Sequence, residues 1–223
     1  MSRYHRRMLS TESPEAPDTI AALLPRSLDD LAAQGQVARD AALAAFRRHL
    51  ARIQQHVRTR FENHQAGGLT SARMLAGLTD SLITELHRYA LAALGGGAER
   101  LAVVATGGYG RSVLAPFSDI DLLFLTEDDP DPPTLAMVEF MLYFLWDLGL
   151  KVGHATRSVG ACLAGAEADL TVRTTLLDTR LVAGHAALFT DFAARFAAAN
   201  EEAGPGAFIA AKCAEREARH RRF

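Results

Sequence analysis

Two aspartates separated by one residue, Asp119-Ile120-Asp121, open the apolar run from Ile120 to Leu125. Alternate side chains of a strand leave the same face, so this spacing sets both carboxylates side by side. Two like charges that close repel, and an unpaired carboxylate at a core edge is costly. A divalent cation relieves both problems. Mg²⁺ takes oxygen ligands, commonly one or two carboxylates together with substrate phosphates. Asp-x-Asp also occurs as a hydrated acid pair at a strand edge, so the residues ahead of it carry the argument. Leu101-Ala-Val-Val-Ala-Thr reads as a short strand running into Gly107-Gly-Tyr-Gly-Arg-Ser. Glycine lets backbone approach a ligand closely, and amides at a helix start favour phosphate oxygens. Arg111 and Ser112 add charged and hydroxyl donors, and Ser118 adds one beside Asp119. Eleven positions separate Gly108 from Asp119, room for a helical turn and a return into the adjacent strand. Phosphate donors therefore face a candidate Mg²⁺ pair, Asp119 and Asp121, across one hairpin-like unit.

The elements that must hold this unit are mostly helical. Residues 1–26 read as a disordered tail containing Pro14 and Pro17, with Ser27 as a candidate N-cap for a helix start. From Val37 to Phe61, Leu43, Phe46, Leu50, Ile53 and Val57 recur at three and four, a long amphipathic helix with an arginine-rich outer face. Gln65-Ala-Gly-Gly breaks it. Thr70 or Ser71 is expected to cap a second helix to about Leu94, burying Leu75, Leu78, Leu82, Leu86 and Tyr89. After the two strands, Thr134 is expected to open a helix through Leu148. Lys151 to Thr156 reads as a third strand. Ala161 to Phe196 reads as helical apart from an interruption near Gly184, and a last helix starts near Ala207. The expected organisation is a helical region over 27–95, a core over 96–200 and the start of a further helical segment over 201–223.

Composition narrows the class. The chain has 223 residues, 49% hydrophobic and 22% charged, with a formal net charge of −2. These values exclude a disordered chain and a strongly basic nucleic-acid binder. No apolar run approaches the roughly 18–20 residues that span a bilayer, and no apolar stretch follows Arg3, Arg6 and Arg7 to make a secretory signal. Cys162 and Cys213 match no metal or redox spacing and read as reduced thiols. The expected compartment is the cytoplasm, with neither nucleic acid nor membrane as partner.

The segment GGYGR…SDIDLLFL (Gly107 to Leu125) resembles the nucleotidyltransferase core of the bifunctional uridylyltransferase/uridylyl-removing enzymes that modify the PII nitrogen-signalling protein. The resemblance continues through LKVGHATRSVGACLAGAEADLTVRTTLLDTRLVAGHAALF (Leu150 to Phe189) and FIAAKCAEREARHRRF (Phe208 to Phe223). It implies an α+β, polymerase-beta-like core with a short mixed sheet, an N-terminal helical pair and C-terminal helices. It further implies Mg²⁺-dependent transfer of uridylyl from UTP to a tyrosine hydroxyl of PII, with release of pyrophosphate. Gly107 and Gly108 would contact the nucleotide, Arg111 and Ser118 would assist, and Asp119 and Asp121 would hold the metal and carry catalysis. Adenylyl transfer, to a protein such as glutamine synthetase or to a small molecule, is the rival within enzymes. A non-catalytic nucleotide-binding module is the rival outside them.

The resemblance is incomplete in one respect. Many nucleotidyltransferases place a third carboxylate on a later strand, where this chain has Gly153 and His154. Asp169 or Asp178 could supply the missing oxygen, although Asp169 also fits a helix N-terminus. His154 is either a polar group near the site or a strand histidine. Arg157 and Arg173 pair either with phosphates or with Glu167 and Asp169. His49, His56, His64, His87, His185 and His220 show no ligand spacing, so no zinc site is expected. The family's uridylyl-removing activity resides in a hydrolase domain built on a His-Asp pair, and no His-Asp dipeptide occurs in this sequence. That activity and glutamine sensing are expected to lie outside this chain.

Overall fold

The structure, a computed structural model, describes residues 36–221; the tail and the helix start at Ser27 lie outside them. Helices α1 (Gln36–Glu62) and α2 (Gly68–Leu94) come first, and then β1 (Ala102–Thr106) runs into a single turn, α3 (Gly107–Gly110). β2 (Ile120–Thr126), α4 (Pro132–Asp147) and β3 (Val152–Ser158) follow. The remaining elements are α5 (Val159–Ala168), α6 (Leu170–Leu177), β4 (Thr179–Gly184), α7 (Ala186–Ala203) and α8 (Pro205–His220). The sheet order is β3-β2-β1-β4. β1 lies antiparallel to β2 and β4, and β2 lies parallel to β3. The fold is α+β with a short mixed sheet.

The alternation of the strands sorts the core into two layers. Val103, Ala105, Ile120, Leu122 and Phe124 pack with residues of α1, α2 and α4. On that side Phe46, Tyr89, Phe140 and Phe144 form an aromatic cluster, with Phe46 edge-on to Phe144 at 5.1 Å. Ala102, Val104, Leu123 and Leu125 turn the other way, onto Cys162, Leu176, Phe192 and Phe196. Asp121 shares the alternation of Leu123 and Leu125. It therefore sits at the end of the second layer, where the apolar cover stops.

Several boundaries differ from the sequence reading. Gly67, not Thr70 or Ser71, caps α2, without a side-chain bond; Ser71 is buried inside the helix and donates its amide to Gly67 O at 2.9 Å. α4 starts at Pro132, two residues before Thr134. Asp131 Oδ1 accepts the Thr134 amide at 2.9 Å, and the prolines occupy first-turn positions that need no amide partner. The largest correction concerns 161–196. Asp169 ends one helix and caps the next, and Thr179–Gly184 is not helix but an edge strand paired with β1. Its first four residues are all half-buried, so its sequence shows no clean alternation. Gly184, at φ +87°, closes the strand because a Cβ there would meet Leu101 O at 2.1 Å. His185 follows and caps α7, its Nδ1 accepting the Leu188 amide at 3.1 Å.

Two buried histidines couple this packing to pH. Both ring nitrogens of His49 and Nε2 of His87 are buried without a hydrogen-bond partner among the described residues. Burial lowers the pKa of each below 6.5, and Arg52 adds to the effect at His49. A proton therefore binds the unfolded chain more readily. Stability is full above about pH 6.5 and falls as pH drops from there towards the folded pKa values. Denaturant midpoints at pH 7.5 and 5.5 should show this fall, and the His49→Gln/His87→Gln variant should show a flatter dependence.

Candidate active site

β1 delivers the glycine turn and β2 returns with the acids. Thr106 ends the strand in extended conformation, and Gly107 enters the turn at φ +58°. The turn closes through Arg111 N to Gly107 O at 3.2 Å and Val113 N to Gly108 O at 3.1 Å. The first amides of such a turn have no acceptor within it.

Asp121 lies between two glycines. A Cβ at Gly107 would stand 3.5 Å from its Oδ2, and a Cβ at Gly153 would stand 2.4 Å from its Oδ1. Gly153 is the register partner of Asp121 on β3. The glycine found in place of a third acid thus makes room for the carboxylate beside it. Neither Asp119 nor Asp121 makes a hydrogen bond or ion pair with any described residue. Burial, followed by the Asp119 charge, holds the Asp121 carboxyl above the ordinary carboxylate range. A divalent cation fits such a pair: it supplies the missing opposite charge and uses oxygens that no protein donor occupies. Among the described residues no set of three or more His, Cys, Asp or Glu residues forms a metal cluster.

The other expected residues are distributed as follows. Arg111 Nη1 donates to Asp178 Oδ2 at 2.5 Å, which commits both groups to each other at the edge of the glycine turn. Ser118 Oγ donates to Ala115 O at 2.8 Å, within the loop that leads to Asp119. Asp169 Oδ1 accepts the amides of Thr171 at 2.6 Å and Val172 at 3.4 Å, and these bonds lower its pKa. It serves as the cap of α6. His154 follows Gly153 on the opposite face of β3, edge-on to Trp146 at 5.7 Å. Arg173 Nε donates to Asn200 Oδ1 at 2.8 Å, and its guanidinium lies over Phe208, 5.3 Å from the ring centroid. Arg157 is different, because it lines a cleft of about 300 Å³ together with Asp121, Gly153, Thr171 and Thr175.

A support that the sequence did not reveal fixes the turn from behind. Tyr109 is buried, and its hydroxyl donates to Asp80 Oδ1 of α2 at 2.6 Å. Arg180 of β4 grips the same carboxylate through two bonds, of 2.8 and 2.9 Å, and donates to Tyr109 O at 3.2 Å. Burial and the Asp80 hydrogen bond push the tyrosine pKa well up, so the phenol stays a donor. Arg180 also lies over the Tyr109 ring, 5.4 Å from its centroid. Asp80, Tyr109 and Arg180 lie on three separate elements, and no local spacing links them.

No protein-family model matches the chain. Named proteins do match it. It is 45% identical over 215 residues, 96% of its length, to a bifunctional uridylyltransferase/uridylyl-removing enzyme of Gluconobacter oxydans. It is 40% identical over 207 residues, 91% of its length, to the protein of the same name from Phenylobacterium zucineum. The chain belongs to this family. It spans 23% and 21% of those two relatives, so it corresponds to a part of such an enzyme. A third uridylyltransferase/uridylyl-removing relative, from Rhodopseudomonas palustris, is 53% identical over 124 residues, 56% of this chain. Among the described residues no helix is long and apolar enough to cross a membrane.

Proposed function

We propose that this chain transfers uridylyl from UTP to a tyrosine hydroxyl of the PII regulatory protein, releasing pyrophosphate. Residues 96–200 would form the transferase core, acting in the cytoplasm. The observation that carries this reading is the Asp119–Asp121 pair beside the glycine turn, without a hydrogen-bond or ion-pair partner among the described residues, with Asp121 opening onto a cleft. Family membership directs the choice towards uridylyl transfer. Asp119 and Asp121 would hold Mg²⁺, which when bound supplies positive charge against the α-phosphate and the leaving pyrophosphate.

The protein's own residues do the rest. The Gly107 and Gly108 backbone admits phosphate oxygens without a side chain in the way. The Asp80–Tyr109–Arg180 support holds that backbone still, so its dipoles need no rearrangement during transfer. The acceptor tyrosine, with a free pKa near 10, must lose a proton as it attacks. Asp121 would accept it, as the carboxylate able to touch both the metal and the nucleophile.

The test incubates the chain with Mg²⁺, purified PII and either α-labelled UTP or α-labelled ATP. Label on PII tyrosine from UTP is the expected result. Label from ATP alone would establish the adenylyl reading instead, and no label from either nucleotide would favour a binding module.

A further inference from the structure

Arg111, the cation that the sequence assigns to the phosphates, is already paired with Asp178 at 2.5 Å. Arg157 has no such ion-pair partner among the described residues. It lies on β3 four residues beyond Gly153, on the same face, and lines the cleft that holds Asp121. It makes no hydrogen bond or ion pair with any described residue.

Its guanidinium nevertheless has a defined seat. A Cβ on Gly165 of α5 would come within 2.5 Å of Arg157 Nη1 and 3.4 Å of Val172 Cγ1 on α6, so the group occupies a slot between the two helices. Asp169 and Cys162 both feel its charge. Asp169 is thus an ionised neighbour, but its Oδ1 is engaged on the amides of Thr171 and Val172 and it forms no ion pair with the guanidinium, and the Cys162 thiol, held up near 11 by burial, stays neutral. The hydroxyl-bearing residues Thr171 and Thr175 line the same cleft. A half-buried guanidinium beside hydroxyls, ion-paired with no carboxylate among the described residues, is suited to a phosphate group.

We propose that Arg157, rather than Arg111, is the residue that binds the polyphosphate chain of the nucleotide. The assignment rests on the nucleotide reading of the cleft. β3 carries Gly153, against the metal carboxylate, and Arg157 about 13 Å further along the strand at 3.3 Å per residue. The long arginine side chain can reach back over part of that distance. A triphosphate anchored at Asp119 and Asp121 would then extend along β3 to the guanidinium, leaving the Arg111–Asp178 pair intact.

Equilibrium binding of UTP, UMP and inorganic tripolyphosphate, each with Mg²⁺, to the whole chain tests this in the wild type, Arg157→Gln and Arg157→Lys. Arg157→Gln should weaken UTP and tripolyphosphate by about tenfold or more, the usual scale for a hydrogen bond to a charged group, while UMP changes by less than about threefold. Arg157→Lys should recover part of the loss, because it keeps the charge without the planar fork. Unchanged UTP binding in Arg157→Gln would overturn the assignment and leave the nucleotide reading standing. Equal weakening of UMP and UTP would also overturn it, showing that Arg157 only spaces α5 from α6. If Arg157→Gln fails to fold, the same split between UTP and UMP is read from Arg157→Lys. A wild-type chain that binds none of the three ligands, nor ATP, would remove both this assignment and the nucleotide reading beneath it.

Discussion

Asp121→Asn should abolish uridylyl transfer and at the same time raise the melting temperature of the metal-free chain. Asp121 sits between Gly107 and Gly153, accepts no hydrogen bond from any described residue and shares its surroundings with Asp119. Its folded pKa is raised above the unfolded value by burial and by the Asp119 charge. The ionised form is therefore penalised in the fold at neutral pH, by an amount that water screens because Asp121 is exposed on its strand, and an amide of the same shape removes that penalty. The amide is also a poor metal ligand. Metal-borne charge stabilisation is worth several kcal/mol in such reactions, so the rate should fall by roughly a thousandfold or more.

Initial rates of label transfer and thermal denaturation with and without Mg²⁺ check both halves. Wild type should gain stability with Mg²⁺ in proportion to occupancy, and the variant should not. Gly153→Ala tests the same geometry from the other side. Its Cβ would stand 2.4 Å from Asp121 Oδ1, so the carboxylate must rotate away and Mg²⁺ protection should weaken. Near-wild-type transfer in Asp121→Asn would refute the catalytic role of the pair.

Gly110→Ala should be the most damaging single methyl in the glycine turn. A Cβ there would lie 2.0 Å from Asp178 O, 2.8 Å from Asp178 C and 3.1 Å from Ala105 O. All three atoms are backbone, so no side-chain rotation relieves the clash. The turn would have to move off β1 and off the junction of α6 with β4. Overpacking of this kind costs about 1–3 kcal/mol or more. The displacement also pulls at Tyr109, whose hydroxyl is held by Asp80, and at Arg111, which is held by Asp178. We expect a lower denaturation midpoint together with loss of nucleotide binding. Gly108→Ala is the control: its Cβ would meet Val113 O at 3.5 Å, an ordinary contact, so stability should change little. A Gly110→Ala chain as stable as Gly108→Ala would show that the turn is not clamped at Asp178.

Local pattern made some of this visible. The run from Ala102 to Thr106, the run from Ile120 onward and the three- and four-residue spacing of α1 and α2 each satisfy a backbone period with their own side chains. The Asp119–Asp121 spacing needs only a strand to place two carboxylates together. β4 was hidden because its residues are half-buried at the sheet edge and its pairing partner, β1, lies about 75 residues earlier. Local chemistry suggested Asp169 first as a helix N-terminal acid and second as a source of the missing third oxygen. The direction of the chain at the α5–α6 junction points its carboxylate at the Thr171 and Val172 amides.

By itself the sequence determined the family, the α+β class and the acid pair beside a glycine turn, because each is written in neighbouring residues. Only the tertiary structure decided which partners those residues keep. Arg111 meets Asp178, Tyr109 meets Asp80 and Arg180, Gly153 gives way to Asp121, and Arg157 finds no ion-pair partner among the described residues. These pairings join residues tens of positions apart. A short-range pattern shows which chemical groups exist, while electrostatic and steric contacts act across space, where the packing of α2, α6 and β4 around one sheet end selects them.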